Sequence, residues 1–134
     1  METRKLKTTI DKRVLLSTLW VFVLINMIYA DIIGMLRPGY LELLDSVSKQ
    51  LSSGHVLTFS VLMEIPILMI LLSRTLPRTT NRIANFIAIP ISIFYVIYGG
   101  IDNPPVSYLF FATIEIIAML FIICFCWKWK TETS

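Results

Sequence analysis

The chain has 134 residues, of which 56% are hydrophobic and only 16% are charged, and its mean hydropathy is +0.75. A soluble domain carries about 25% charged residues, so much of this surface is expected to face lipid instead of water. The net charge of +3 does not indicate a nucleic-acid-binding protein, because the basic residues flank apolar segments and do not form one patch.

Four apolar segments follow a basic N-terminal tail, and each has the length of about 20 residues that crosses a bilayer. They cover residues 14–36, 54–72, 83–101 and 106–127, with approximate limits. Between the first two, residues 40–53 are too short and too charged to cross, but Leu41, Leu44 and Val47 recur at helical spacing. The sequence predicts an all-α fold, an antiparallel four-helix transmembrane bundle with a short outer interfacial helix. Residues 1–134 are expected to form a single membrane domain.

Lysine and arginine are distributed unevenly around these segments. Five lie in the N-terminal tail, three around the turn between the second and third segments, and two after the fourth. The opposite side carries only Arg37 and Lys49. Because cytoplasmic loops of membrane proteins carry an excess of Lys and Arg, this asymmetry predicts that both termini are cytoplasmic.

Three acidic residues lie inside the apolar segments, whereas every Lys and Arg lies outside them or at their edges. Asp31 lies about 7–8 Å from the outer end of its segment, and Glu64 and Glu115 lie about 14–15 Å from theirs, at a rise of 1.5 Å per residue. An intramembrane acid is costly and usually marks a functional site in the bundle interior. The three acids are therefore predicted to line one outward-facing cavity. We expect at least one to be protonated at neutral pH, because burial and mutual repulsion both oppose a further negative charge.

The third segment provides hydroxyl groups for the same cavity, because Ser92 and Tyr95 fall on one polar or small-residue stripe. The predicted ligand-binding or proton-binding residues are Asp31, Glu64, Glu115, Tyr95 and Ser92. His55, at the outer end of the second segment, is a weaker candidate for proton transfer. The alternative is that the acids only form interhelical hydrogen bonds, each worth about 1 kcal/mol.

No motif for a reaction, a metal or a cofactor is present in the sequence. It lacks the H-E-x-x-H, G-x-S-x-G and C-x-x-C patterns and a phosphate-binding loop. Cys124 and Cys126 are two residues apart, so they point in different directions on a helix and are not expected to form a disulfide or a metal site. The sequence therefore predicts no cofactor and no metal, and favours a role without catalysis.

The order of several short motifs resembles that of a small four-span bacterial membrane-protein family of unknown function. The motifs are Leu19-Trp20, Tyr29-Ala30-Asp31, Gly34, Pro38-Gly39, Ile65-Pro66, Leu76-Pro77, Asn81-Arg82 and Glu115. The resemblance covers nearly the whole chain and implies a four-helix protein of the bacterial inner membrane, with no implied activity. It ranks Asp31 and Glu115 above Glu64 as functional residues. More distantly, the layout is similar to that of DoxX-like proteins, an analogy of fold alone.

Three functions fit these features. The leading hypothesis is binding or transport of a small cationic or proton-coupled molecule in the acidic cavity. The chain is similar in size and span number to small multidrug transporters, but their key glutamate lies in the first span, where this chain has Asp31 near the outer end. One protomer offers little room for a transport pathway, so a homo-oligomer is expected. The second hypothesis is an enzyme or receptor for a lipophilic ligand that uses paired carboxyl groups, and the third is a structural or accessory membrane subunit.

Overall fold

The computed structural model describes residues 11–100 and 104–129, and these ranges contain five α-helices and no strand. The helices are α1 (Lys12–Gly34), α2 (Tyr40–Gln50), α3 (Ser53–Thr75), α4 (Arg78–Gly99) and α5 (Val106–Lys128). All except α2 are long and apolar enough to cross a bilayer. The prediction of an all-α bundle with a short helix after its first long helix is confirmed. The chain is a multi-pass membrane protein.

The four long helices form a ring in which every helix contacts two antiparallel neighbours. Helices α1 and α4 each pack against both α3 and α5, and so occupy opposite corners. Because the chain alternates in direction, the start of α1 and the end of α5 lie at one end of the bundle, here called the termini end. The opposite end carries α2 and is called the α2 end.

The interior of the bundle follows from helical periodicity. On α1 the buried residues recur every three or four positions, as one face of a helix does: Leu16, Trp20, Val23, Met27 and Ala30. Large apolar side chains such as Phe22, Leu57 and Phe94 remain exposed on the outside. This arrangement is expected in a bilayer, where lipid tails are as apolar as the core and do not drive such side chains inward.

Helix α2 forms no part of this interior. It starts after Gly39, whose positive φ of 77° is a conformation that favours glycine. Helix α2 has no buried residue, and its apolar side chains Leu41, Leu44 and Val47 are all exposed. An amphipathic helix with an uncovered apolar face is suited to the membrane surface, which remains the predicted position of α2.

At the termini end, two arginine side chains of α4 form hydrogen bonds with the end of α5. Helix α4 starts at Arg78, five residues before the start predicted for the third span. The prediction followed the apolar segment alone, whereas the helix also includes the polar residues before it. The Arg82 Nε donates a hydrogen bond to the carbonyl oxygen of Cys126 at 2.7 Å, and the Arg78 guanidinium donates to that of Trp129. These bonds add side-chain donors to carbonyl groups at the end of α5, where the regular helical hydrogen bonds stop, although the Cys126 carbonyl also accepts the Trp129 N–H. The basic residues before Asp11, position 101 of the predicted third span and Lys130 lie outside the described residues.

Candidate functional site

The α2 half of the bundle interior contains one buried carboxyl group. Glu115 is only 2% exposed and lies on the buried face of α5, one turn before Ala118 and Met119. Within the described part of the chain, its Oε1 atom has no hydrogen-bond partner. A buried polar atom without a partner is energetically costly. This cost suggests that a ligand, a water molecule or a proton satisfies the carboxyl group.

Glu115 lines a small void of about 20 Å³ between α1, α4 and α5. Asp31 from α1, Tyr95 from α4 and Tyr108 from α5 supply the other polar side chains of its wall. Met27, Ala30 and Val96 complete it. A polar void of this size has room for about one water molecule. Two carboxyl groups from different helices therefore line one small void.

A larger cavity of about 260 Å³ adjoins this void toward the α2 end. Its walls are Asp31, Phe59, Tyr95, Tyr98, Gly99 and Tyr108. Because Asp31, Tyr95 and Tyr108 line both spaces, we call the larger one the acidic cavity. Among the described residues that line it, none is Lys or Arg. One carboxylate surrounded by four aromatic rings is a chemical environment that suits an organic cation.

Tyr108 lines both the acidic cavity and the void, and two glycines leave the space in which it lies. A Cβ atom on Gly99 would lie 2.6 Å from the Tyr108 hydroxyl oxygen, and one on Gly100 would lie 2.9 Å from its ring. The hydroxyl donates a hydrogen bond to the carbonyl oxygen of Val96. That carbonyl is available because the Gly100 N–H bonds instead to Ile97 at the end of α4. The glycine pair thus creates the space in which Tyr108 docks.

A second cavity of about 230 Å³ lies between α3 and α4. Its lining is mostly apolar: His55, Thr58, Phe59, Leu62, Phe94, Tyr95 and Tyr98. It shares Phe59, Tyr95 and Tyr98 with the acidic cavity, and the Phe59 and Tyr98 rings lie 6.4 Å apart between centroids. His55 also caps α3, since its Nδ1 accepts a hydrogen bond from the Ser52 N–H at 3.1 Å. This cap gives His55 a structural role at the cavity edge.

The structure brings together three of the five residues predicted for the site. Asp31, Tyr95 and Glu115 line the void, and Asp31 is exposed, whereas Glu115 is buried. Ser92 is buried on the same face of α4, and its Oγ has no partner within the described ranges, but it does not line the void or the acidic cavity. Glu64 is exposed on α3 and lines neither space.

Sequence reasoning missed Tyr108 and a hydrogen-bonded chain at the termini end. The Trp20 Nε1 donates to Asn85 Oδ1 at 2.7 Å, across the ring from α1 to α4. The Asn85 Nδ2 donates to the backbone and side-chain oxygens of Asn81, each at 2.8 Å, and the Asn81 Nδ2 donates to the Ser73 carbonyl at 2.7 Å. Asn81 and Asn85, four residues apart in an apolar helix, were the available signal for this chain.

The described residues offer no group of three His, Cys, Asp or Glu side chains that could hold a metal ion. Cys124 is exposed and Cys126 is buried, and both are free thiols. The titratable side chains that line the void and the acidic cavity are the carboxyl groups of Asp31 and Glu115 and the phenol groups of Tyr95, Tyr98 and Tyr108.

A protein-family model matches residues 5–134 of the chain. The chain belongs to the family of unknown function DUF6326. This agrees with the expectation of a small membrane-protein family without an assigned activity. Searches of curated proteins and of solved structures returned no match.

Proposed function

We propose that this membrane protein binds a small organic cation in the acidic cavity, and that a proton on Glu115 is exchanged when the cation binds. The observation that carries the proposal is the placement of Asp31 and aromatic rings in the cavity wall beside Glu115, a buried carboxyl group whose Oε1 has no partner within the described residues. Transport of the cation across the membrane is the extended form of this proposal.

Asp31 and the rings give the cavity its preference for positive charge. A carboxylate in a partly desolvated site attracts a cation more strongly than it would in water. The faces of Phe59, Tyr95 and Tyr98 add cation–π attraction, worth about 0.5–2 kcal/mol for each well-placed ring. No lining Lys or Arg among the described residues competes for Asp31. An alkylammonium group beside Asp31 with an apolar part against the rings would use the whole wall.

Glu115 supplies the proton. The titratable groups that face it are Asp31 from α1, Tyr95 from α4 and Tyr108 from its own helix, and α3 contributes none to the void. Two carboxyl groups lining one small void oppose a double negative charge. A cation bound at Asp31 removes that opposition, so Glu115 can ionise. A water molecule in the void would carry the proton to the acidic cavity.

Calorimetry with two compounds of the same shape, one charged and one uncharged, tests the cation site. Benzyltrimethylammonium carries a permanent positive charge, and neopentylbenzene has the same shape without it. The purified protein in detergent should bind the cation and show at least tenfold weaker binding of the neutral isostere, about 1.4 kcal/mol. Asp31→Asn should remove this difference, whereas Glu64→Gln should keep it as the matched control. Equal affinity for both compounds would contradict the proposal.

Proton release is measured in the same experiment by repeating it in buffers with different ionisation enthalpies. Because the probe has no titratable group, any proton released on binding comes from the protein. Release requires that affinity rise with pH, since protons compete with the cation at low pH. Glu115→Gln should bind the cation with no pH dependence attributable to Glu115 and release no proton. Binding of the cation without proton release by the wild type would leave the cation site intact and refute the role of Glu115.

We further propose that the protein lies in a bacterial inner membrane with both termini in the cytoplasm and acts as a homo-oligomer. The charge asymmetry between the two ends supports the orientation, and the resemblance to a bacterial four-span family, distantly DoxX-like, supports the location. Reporter fusions after residue 78 and at the C-terminus should read cytoplasmic, and one after residue 48 should read external. The opposite pattern would show that both termini lie outside the cytoplasm.

The second cavity favours one alternative function, a receptor or enzyme for a lipophilic ligand. Its lining is mostly apolar and shares aromatic rings with the acidic cavity. An uncharged ligand in it would have the Asp31 and Glu115 carboxyl groups within reach through the shared wall. A lipid that co-purifies with the protein and is lost in a Leu62→Trp variant would favour this alternative. If acid-to-amide changes leave every phenotype intact, the protein is instead a structural or accessory subunit.

A further inference from the structure

Glu64 occupies an unusual position on the outer surface of the bundle. It is the central residue of α3, which runs from Ser53 to Thr75, and its side chain is exposed. At 1.5 Å per residue it lies about 16 Å from the start of the helix, close to the middle of a bilayer. A carboxyl group in contact with lipid at this depth is energetically unfavourable even when it is protonated.

Other polar side chains on the exterior avoid this cost within their own helices. The Ser60, Thr18 and Thr113 hydroxyls each donate a hydrogen bond to the backbone carbonyl four residues earlier. No such bond to Glu64 is present among the described residues. A protonated carboxyl group needs an acceptor for its O–H and a donor for its carbonyl oxygen. Within the described residues, the bundle supplies neither to Glu64.

The residues around Glu64 form a regular seam on α3. The exposed residues recur at alternating intervals of four and three, as in the core positions of a coiled coil: Leu57, Val61, Glu64, Leu68 and Leu71. The buried residues of α3, Pro66, Met69 and Ser73, lie on the opposite face. Helix α3 is also the least enclosed of the long helices, with 17% of its most apolar stretch buried against 28% to 33% in the others.

We propose that two copies of this chain associate through the α3 seam, with the two Glu64 carboxyl groups hydrogen-bonded to each other at the centre of the interface. Both copies insert in the same direction, so the symmetry axis runs along the membrane normal and the two α3 helices are parallel. A residue that lies on this axis then contacts the same residue of the second chain. A protonated carboxyl group is self-complementary in this arrangement, which identifies the occupant as a second copy. The alternating spacing of the seam is typical of left-handed packing at about +20°.

This inference does not rest on cation binding, because the seam is on the opposite face of α3 from the bundle interior. Cross-linking in native membranes tests it without detergent. In a chain that also carries Cys124→Ala and Cys126→Ala, Val61→Cys should form an intermolecular disulfide when the membranes are treated with iodine, which accepts the two electrons. Ile87→Cys on α4 is the matched control, since Val61 is 58% and Ile87 59% exposed. A disulfide at position 87 and none at position 61 would refute the α3 interface.

The role of Glu64 is tested by measuring the dissociation constant of the dimer in detergent. Native mass spectrometry over a dilution series gives the fractions of monomer and dimer. Glu64→Gln can still donate and accept, so its dissociation constant should stay within about twofold of the wild type, whereas Glu64→Leu should dissociate about tenfold more readily. Leu68→Trp should also weaken the dimer, and Leu120→Trp on α5, at 49% exposure against 45% for Leu68, should not. A wild type that is monomeric both in detergent and in the membrane cross-linking assay would overturn the proposal, as would a dimer insensitive to Leu68→Trp.

Discussion

The two halves of the bundle differ in how their buried amide, indole and carboxyl groups are partnered. The contrast does not extend to hydroxyl groups, because the buried Ser73 Oγ at the termini end also has no partner within the described residues. At the termini end, the amide and indole groups of Trp20, Asn81 and Asn85 all have hydrogen-bond partners, in a chain that joins opposite corners of the ring. Toward the α2 end, the Glu115 Oε1 has no partner among the described residues and lines the small void, which shares three wall residues with the acidic cavity. A fully satisfied polar network stabilises and fixes a core, whereas an unsatisfied one leaves groups free to bind. The hydrogen-bonded chain is therefore expected to contribute stability, whereas the proposed binding site lies in the other half.

The largest effect is expected in the termini half. Asn85→Leu leaves the Trp20 Nε1 and the Asn81 side-chain oxygen buried without partners, so the free energy of unfolding should fall by about 1–3 kcal/mol. Unfolding in mixed micelles by titration with a denaturing detergent measures this change. Asn26→Leu is the matched control, because the Asn26 amide bonds only to the Phe22 carbonyl of its own helix. An equal loss in both variants would show that the network does not hold the helices together.

A smaller effect on stability, with a change in binding, is expected from Gly99→Ala. The added methyl group would lie 2.6 Å from the Tyr108 hydroxyl oxygen, so the tyrosine must shift, which disturbs its bond to the Val96 carbonyl and the wall of the acidic cavity that it lines. Affinity for benzyltrimethylammonium should fall about tenfold, which corresponds to about 1.4 kcal/mol. Gly34→Ala, which meets nothing within 4 Å, should leave affinity unchanged. Calorimetric titration of both variants makes the comparison, and unchanged binding by Gly99→Ala would remove Tyr108 from the site.

The smallest effect is expected from His55→Ala. The change removes the side-chain acceptor of the Ser52 N–H at the start of α3, and loss of such a cap costs about 0.5–1 kcal/mol. Hydrogen exchange should quicken at the first turn of α3 alone. Cation affinity should stay the same, because His55 lines the second cavity and not the acidic one. A loss of cation binding would extend the functional site to the second cavity.

Much of the fold could be predicted because it depends on hydropathy and local periodicity. The long helices of this chain stand out by apolar length, and the depth of Asp31 and Glu115 follows from counting residues along their spans. The partners across the ring could not be predicted, since the Trp20–Asn85 contact depends on which helices lie opposite each other. Tyr108 was missed because its position depends on space that Gly99 and Gly100 leave in a different helix.

Glu64 demonstrates a second limit. Helix α3 has two apolar faces, one with Leu57, Val61 and Leu68 and the other with Pro66 and Met69. In water only a buried face is expected to be apolar, but in a bilayer both are. Periodicity alone therefore could not decide which face points inward. The prediction that Glu64 joins the other acids depended on that choice, and the structure turns Glu64 outward, away from the void and the acidic cavity.

We expect the termini half to stabilise the fold and the α2 half to bind the cation. This division is tested most directly by measuring how much benzyltrimethylammonium raises the free energy of unfolding of Asn85→Leu and of Asp31→Asn. At a ligand concentration of 100 times the dissociation constant, binding adds about 2.7 kcal/mol to the free energy of unfolding. The account predicts that Asn85→Leu has a lower starting stability but keeps the full ligand increment. Asp31→Asn should have a starting stability close to that of the wild type and lose about half of the increment or more, since a tenfold weaker affinity leaves about 1.4 kcal/mol. An Asn85→Leu protein that folds but gains nothing from the ligand, or an Asp31→Asn protein that gains as much as the wild type, would contradict it.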